Sequence, residues 1–274
     1  TLSPYMFAGN GVKSLNLNKV ETIANNALAD LAVTSLTIPG TVTTIGESVF
    51  SGCSKLATIT FEPNSSGKEL AIGNDSGAGP FVDCPLTTLN LNREMKASIP
   101  GFDASGLFGA KKDLTKVTLG EQVKTLPPYM FAGSGITSLN LNKVETIGDR
   151  ALARLALTSL TIPGNVMTIG NNVFEGCSKL TEVIFQPHSD GKALKIGFYD
   201  TTDADGPFYD CPLATVKLNR ELDYTFPISD LNDPGEGVFG NRTKLINLTI
   251  GEQVKTLSPY MFAGSSITSL DLRN

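Results

Sequence analysis

The stretch LSPYMFAGNGVKSLNLNKVETI at residues 2–23 returns almost letter for letter as LPPYMFAGSGITSLNLNKVETI at 126–147. It begins a third time as LSPYMFAGSSITSLDL at 257–272. The chain therefore holds long periods over 2–125 and 126–256 and a partial one over 257–274. Chance does not produce such identity. A fixed period marks units that cannot bury an apolar face alone and must stack on their neighbours.

Inside each long period runs a shorter one. An apolar–x–apolar tripeptide recurs at Leu15/Leu17, Leu36/Ile38, Ile59/Phe61, Leu89/Leu91, Val117/Leu119 and Leu139/Leu141. It continues at Leu160/Ile162, Val183/Phe185, Val216/Leu218, Leu248/Ile250 and Leu270/Leu272. Alternation over so short a run reads as a strand with one buried face. We therefore expect about eleven coils in one solenoid spanning 1–274.

A second landmark is a large apolar residue at Leu28, Phe50, Phe81, Phe108, Phe131, Leu152, Phe174, Phe208, Phe239 and Phe262, always 8 or 9 residues before the next strand. All length variation thus falls between a strand and its following landmark, which predicts every insertion on one flank of the stack. A second inward apolar pair is expected at Val42/Ile45, Val123/Leu126, Val144/Ile147 and Val166/Ile169. Pro4, Pro128 and Pro259 suit the first position of a short helical turn. Gly52, Gly133, Gly176 and Gly264 sit where a left-handed residue would close that turn.

The stretches 36–61 and 157–185 resemble the BspA-like leucine-rich repeat. Its pattern is a strand with an Ile-Pro step (Ile38-Pro39, Ile162-Pro163), an Ile-Gly turn (Ile45-Gly46, Ile169-Gly170) and a Phe-x-Gly-Cys knot followed by Leu. Here the knot is Phe50 through Cys53 with Leu56, and Phe174 through Cys177 with Leu180. The resemblance implies an α/β-type repeat solenoid: a leucine-rich-repeat right-handed superhelix dominated by short parallel strands, with short helical or 3-10 turns. It also implies a secreted or cell-surface protein of host-associated microbes, used in adhesion to host matrix proteins or other cells, and it brings no catalytic residues.

Composition narrows the choice of partner. A net charge of −5 and a pI near 5.0 argue against nucleic acid or an anionic membrane surface. No apolar run approaches the roughly 18 residues that span a bilayer. Thr1 already lies within a repeat, so an export signal or membrane anchor is expected in a missing N-terminal region.

Two areas are candidates for binding. The outward x positions form a polar ladder: Asn16, Thr37, Thr60, Asn90, Thr118, Asn140, Thr161, Ile184, Lys217, Thr249 and Asp271. At about 4.8 Å per strand it extends roughly 50 Å, and it suits either a peptide or glycan ligand or merely a wet sheet face. The long turns at 62–80, 92–107, 186–207 and 219–238 should form two ridges. The second ridge carries Phe198, Tyr199, Tyr224 and Phe226, which either contact a ligand or pack the loop's underside. From both areas the residues chosen for ligand binding are Asn16, Asn90, Asn140, Phe198, Tyr199, Tyr224 and Phe226.

Other chemistry is thin. Asp200–Gly206 (DTTDADG) gathers three carboxylates but lacks the spacing of a calcium loop. Cys53 and Cys84 share one landmark in adjacent coils, as do Cys177 and Cys211, so each pair reads as two buried thiols or a disulfide. His188 is the only histidine and is read as an ordinary loop residue. No catalytic motif, metal site or cofactor site emerges. The expected function is extracellular binding or adhesion, with host protein, another cell or a glycan as partner. The alternatives are a structural spacer in a larger surface protein and, more remotely, a carbohydrate-active enzyme.

Overall fold

The computed structural model describes the chain except residues 74–79, 98–105, 198–205, 225–236, 240–243, 269 and 271–274. It divides into two compact units, residues 1–136 and 137–274. In the first lie β1 (Thr22–Ile23), β2 (Ser35–Ile38), β3 (Thr44–Ile45), β4 (Thr58–Phe61), β5 (Leu70–Ile72), β6 (Thr88–Leu91), β7 (Met95–Ala97), β8 (Lys116–Leu119) and β9 (Thr125–Leu126). In the second lie β10 (Thr146–Ile147), β11 (Ser159–Ile162), β12 (Thr168–Ile169), β13 (Glu182–Phe185), β14 (Leu194–Ile196), β15 (Thr215–Leu218), β16 (Leu222–Asp223) and β17 (Asn247–Ile250).

Within each unit the four-residue strands stack in parallel, in the orders β2-β4-β6-β8 and β11-β13-β15-β17. The register aligns the repeated tripeptides: Leu36↔Ile59↔Leu89↔Val117 and Leu160↔Val183↔Val216↔Leu248. The shorter strands form a second parallel ladder, β1-β3-β5-β7 in the first unit and β10-β12-β14-β16 in the second. Between the ladders the landmark rings pile into columns. Phe50, Phe81 and Phe108 follow one another at 5.1 Å, and Phe174 and Phe208 stand 5.0 Å apart, all stacked. That repeat matches the roughly 4.8 Å strand spacing, so one ring per coil is what the stack accommodates.

Three expectations need correction. First, the landmark turns are not helical: no helix occurs among the described residues. Leu28 shows why. It is flanked by the left-handed residues Asn26 (φ 57°) and Asp30 (φ 56°), which interrupt any right-handed run. Alternate N–H groups then point along the stack: Asn26, Leu28 and Asp30 donate to Glu47, Val49 and Ser51 of the next coil at 2.8–3.2 Å. Ala27 and Ala29 instead close three-residue turns onto Ala24 and Asn26. The chain is cross-linked here as in a sheet, so an i→i−4 helix has no donors left. Gly52, Gly133, Gly176 and Gly264 do take the left-handed conformation, at φ 66–71°.

Second, Leu15–Leu17 and Leu139–Leu141 are not strands, so the long ladders open at β2 and β11. In both segments an asparagine binds its own backbone: Asn18 N–H donates to Asn16 Oδ1 and Asn142 N–H to Asn140 Oδ1, each at 2.9 Å. This local Asx bond competes with ladder pairing.

Third, the long turns are not wholly turns. Each contains a strand of the second ladder: β5, β7, β14 and β16. The chain detours over residues 62–69 before β5 and over 186–193 before β14.

The first of these detours creates a buried cation site. Arg93, fully buried, reaches past the coil of β4 and donates to the carbonyls of Gly40 (3.1 Å) and Val42. Arg220 repeats this toward Gly164 (3.0 Å) and Val166 (2.7 Å), and adds Lys192 (2.9 Å). No carboxylate is among these partners. Burial pulls the Arg93 guanidinium down to about 10 and lowers Arg220 as well.

Candidate functional site

In the second unit, residues 138–142 do not pair with β11, and a shallow groove of about 360 Å³ opens between them. One wall is Ser138-Leu139-Asn140-Leu141-Asn142; the other is Ser159, Leu160, Thr161 and Pro163. Ser138, Asn140, Asn142, Ser159 and Thr161 are exposed, Leu139 is half-buried, and Leu160 closes the floor. The lining holds no charged residue and no aromatic ring. It offers hydroxyls, carboxamides, an apolar base and strand backbone, a combination suited to orienting an uncharged ligand and not to acid–base chemistry. The volume lies near the lower end for ligand pockets, about 300–1,000 Å³.

Asn140 thus stands on the groove wall. Asn16 makes the same Asx bond in the first unit and is equally exposed. Asn90 has a different environment: it is half-buried within β6, and its Nδ2 donates to Thr60 Oγ1 at 3.1 Å. That bond ties β6 to the neighbouring strand. The outward positions of the four-residue strands lie in register, Thr37↔Thr60↔Asn90↔Thr118 and Thr161↔Ile184↔Lys217↔Thr249, whereas Asp271 lies outside the described residues. In the second unit an ion pair between Lys217 and Glu182 (2.8 Å) lies across this ladder.

Of the aromatic ridge, Tyr224 is half-buried and its hydroxyl donates to the Pro259 carbonyl at 3.3 Å. Burial pushes its phenol up to about 12, against a weaker lowering by Ser258. Phe198, Tyr199, Phe226 and the carboxylates of Asp200–Gly206 lie outside the described residues. Among the described residues no three His, Cys, Asp or Glu side chains gather as metal ligands. Among them, too, no helix is long and apolar enough to cross a membrane.

The four cysteines are buried thiols, none of them in a disulfide. Each thiol donates to the landmark carbonyl of the preceding coil: Cys53 to Leu28 (3.2 Å), Cys84 to Phe50 (3.0 Å), Cys177 to Leu152 (3.3 Å) and Cys211 to Phe174 (3.1 Å). The Cys84 thiol is raised by its contact with Cys53 and by burial, which keeps it protonated. His188 has a structural task. Its Nδ1 accepts from Asp190 N–H at 2.9 Å, as Asn64 Oδ1 accepts from Ser66 N–H at 2.9 Å in the first unit.

The groove was not visible in the sequence. LNLN occurs at 15–18, 89–92 and 139–142, yet only the middle copy enters a strand.

Short parallel strands stacked coil on coil over a column of rings, with a polar outward ladder, define a leucine-rich-repeat protein. The chain belongs to the BspA type leucine rich repeat family, whose pattern matches in six copies across residues 1–99, 104–222 and 201–274. Among solved structures it is similar to a leucine rich cell surface protein from Faecalibacterium prausnitzii A2-165: 22% identity, 89% of this chain and 68% of that one covered, TM-score 0.43. The pneumococcal vaccine antigen PcpA is 17% identical, with 97% and 76% covered and a TM-score of 0.38. A leucine-rich repeat protein from Eubacterium ventriosum ATCC 27560 is 16% identical, with 92% and 82% covered and a TM-score of 0.39. No curated protein matches the chain.

Proposed function

We propose that this protein is an extracellular or cell-surface binding module that attaches to a host protein, another cell or a glycan through its outward strand face, and that the groove at Asn140 is the principal contact area. The observation that carries this reading is the groove itself: an uncharged concavity of about 360 Å³ at the opening edge of a rigid ladder. Preorganised backbone and locked strand side chains bind without first having to be ordered, which lowers the entropic cost of association. Membership of the repeat family and the lack of any acidic or basic side chain in the groove lining favour binding over catalysis.

The test is a binding panel of matrix proteins, cell-surface glycoproteins and glycans. The double variant Asn140→Ala/Thr161→Ala should weaken the interaction at least tenfold, a change of about 1.4 kcal/mol. Tyr199→Ala/Tyr224→Ala probes the loop ridge separately. If only the tyrosine variant loses binding, the contact area is the ridge. If the parent binds no panel member, the chain is a spacer within a larger surface protein.

A further inference from the structure

We propose that the ligand of this groove is an extended polypeptide segment, laid beside β11 as an additional strand, and that a second, equivalent site lies beside β2. The inference rests on the binding reading above and narrows it to one class of ligand.

Three observations support it. β11 is the terminal strand of its ladder. With Ile162 in register with Phe185, Gln186 N–H donates to the Ile162 carbonyl at 2.9 Å. In a parallel ladder one residue bonds a given neighbour through both its N–H and its C=O, and the next residue faces the opposite edge. Leu160 and Ile162 therefore serve β13, whereas the main-chain groups of Ser159 and Thr161 face the groove. Among the described residues no backbone hydrogen bond joins the opposite wall, 138–142, to Ser159 or Thr161. With no charge and no ring in the lining, the specific offer is a row of strand donors and acceptors beside small hydroxyls and a leucine floor. An extended backbone complements that row by strand addition.

The second site follows from identity of sequence and local structure. Residues 14–18 and 35–39 repeat 138–142 and 159–163 letter for letter, SLNLN and SLTIP. Their pattern of exposure is the same position by position. The Asx bond recurs at 2.9 Å, β2 is the terminal strand of its ladder, and Glu62 N–H donates to the Ile38 carbonyl at 2.9 Å.

The experiment begins with a random heptapeptide library screened against the full chain, followed by calorimetry on the best binder. Two equivalents per chain are expected, falling to one for Thr161→Pro, which deletes an N–H on the free edge. Because proline could perturb the fold, the peptide is also N-methylated at each position in turn. Strand addition predicts alternation, with losses of roughly tenfold at every second residue and little change between them.

A scan without that alternation overturns strand addition, and a stoichiometry of one overturns the second site. A glycan that binds at Asn140 while no peptide does overturns this inference and leaves the binding module standing. Failure of both libraries removes the two together.

Discussion

Gln122 holds the backbone of Asn64 in a two-bond clamp: its Oε1 accepts from Asn64 N–H at 3.0 Å and its Nε2 donates to the Asn64 carbonyl at 2.9 Å. Gln253 grips His188 in the same way at 3.0 and 2.8 Å. Both glutamines come from a Gly-Glu-Gln-Val-Lys stretch, at 120–124 and 251–255. Each clamp pins the start of a detour that leaves the stack before β5 or β14, a segment with few ladder bonds of its own.

Replacing Gln122 with Ala should destabilise the first unit by about 1–3 kcal/mol, because it leaves the Asn64 N–H without a partner and strips one of two donors from the Asn64 carbonyl, which keeps Gly67 N–H at 3.0 Å. Gln122→Glu should lose about half as much, since a carboxylate accepts the N–H bond but cannot return one to the carbonyl. Denaturant unfolding measures both. Hydrogen exchange at the Asn64 amide should accelerate in Gln122→Ala, and an unchanged rate there would refute the clamp.

Arg93 donates to carbonyls, with no carboxylate partner among the described residues. Arg93→Met should cost about 2–3 kcal/mol, since hydrogen bonds from a charged donor are lost and the carbonyls stay buried. Its folded pKa, about 10, lies below the ordinary 12.5, so the unfolded chain holds more protons between those values. Stability tied to Arg93 therefore rises as pH climbs through that window, and the Met variant should lack the rise in alkaline melts.

Tyr224 behaves in the opposite sense. Its folded pKa of about 12 exceeds the usual 10, so its contribution is intact below pH 10 and is lost as pH rises toward 12. Ultraviolet titration of the phenolate should show a late-ionising component, and Tyr224→Phe should remove it. If the late component survives the substitution, it belongs to another residue.

Ser134 occupies the landmark held elsewhere by the four cysteines, and its hydroxyl is buried without a partner. A thiol with its longer bond reaches the preceding coil's carbonyl at all four cysteine positions. Ser134→Cys should therefore stabilise the first unit by about 1 kcal/mol, measured as a raised denaturation midpoint. In the parent, all four thiols should react with a thiol reagent in denaturant without prior reduction. Fewer would reveal a disulfide.

Alternating apolar residues and a repeated landmark determined the stacked architecture on their own. Leu36, Ile59, Leu89 and Val117 had to share one interior, and the rings from Phe50 to Phe108 had to pile one per coil, because a coil of this length has nowhere else to bury them. The polar outward ladder followed from the same period of two. Local composition did not disclose which LNLN would become a strand. At 89–92 the segment lies between β4 and β8, and Asn90 turns its amide to Thr60; at 15–18 and 139–142 an asparagine turns inward to its own backbone. The two conformations satisfy the carboxamide about equally well, so the choice rests with the neighbouring coil. That choice opens the groove. The left-handed, non-glycine turns were hidden for the same reason: Asn26 and Asp30 accept the strain only because the hydrogen bonds to the next coil hold them there.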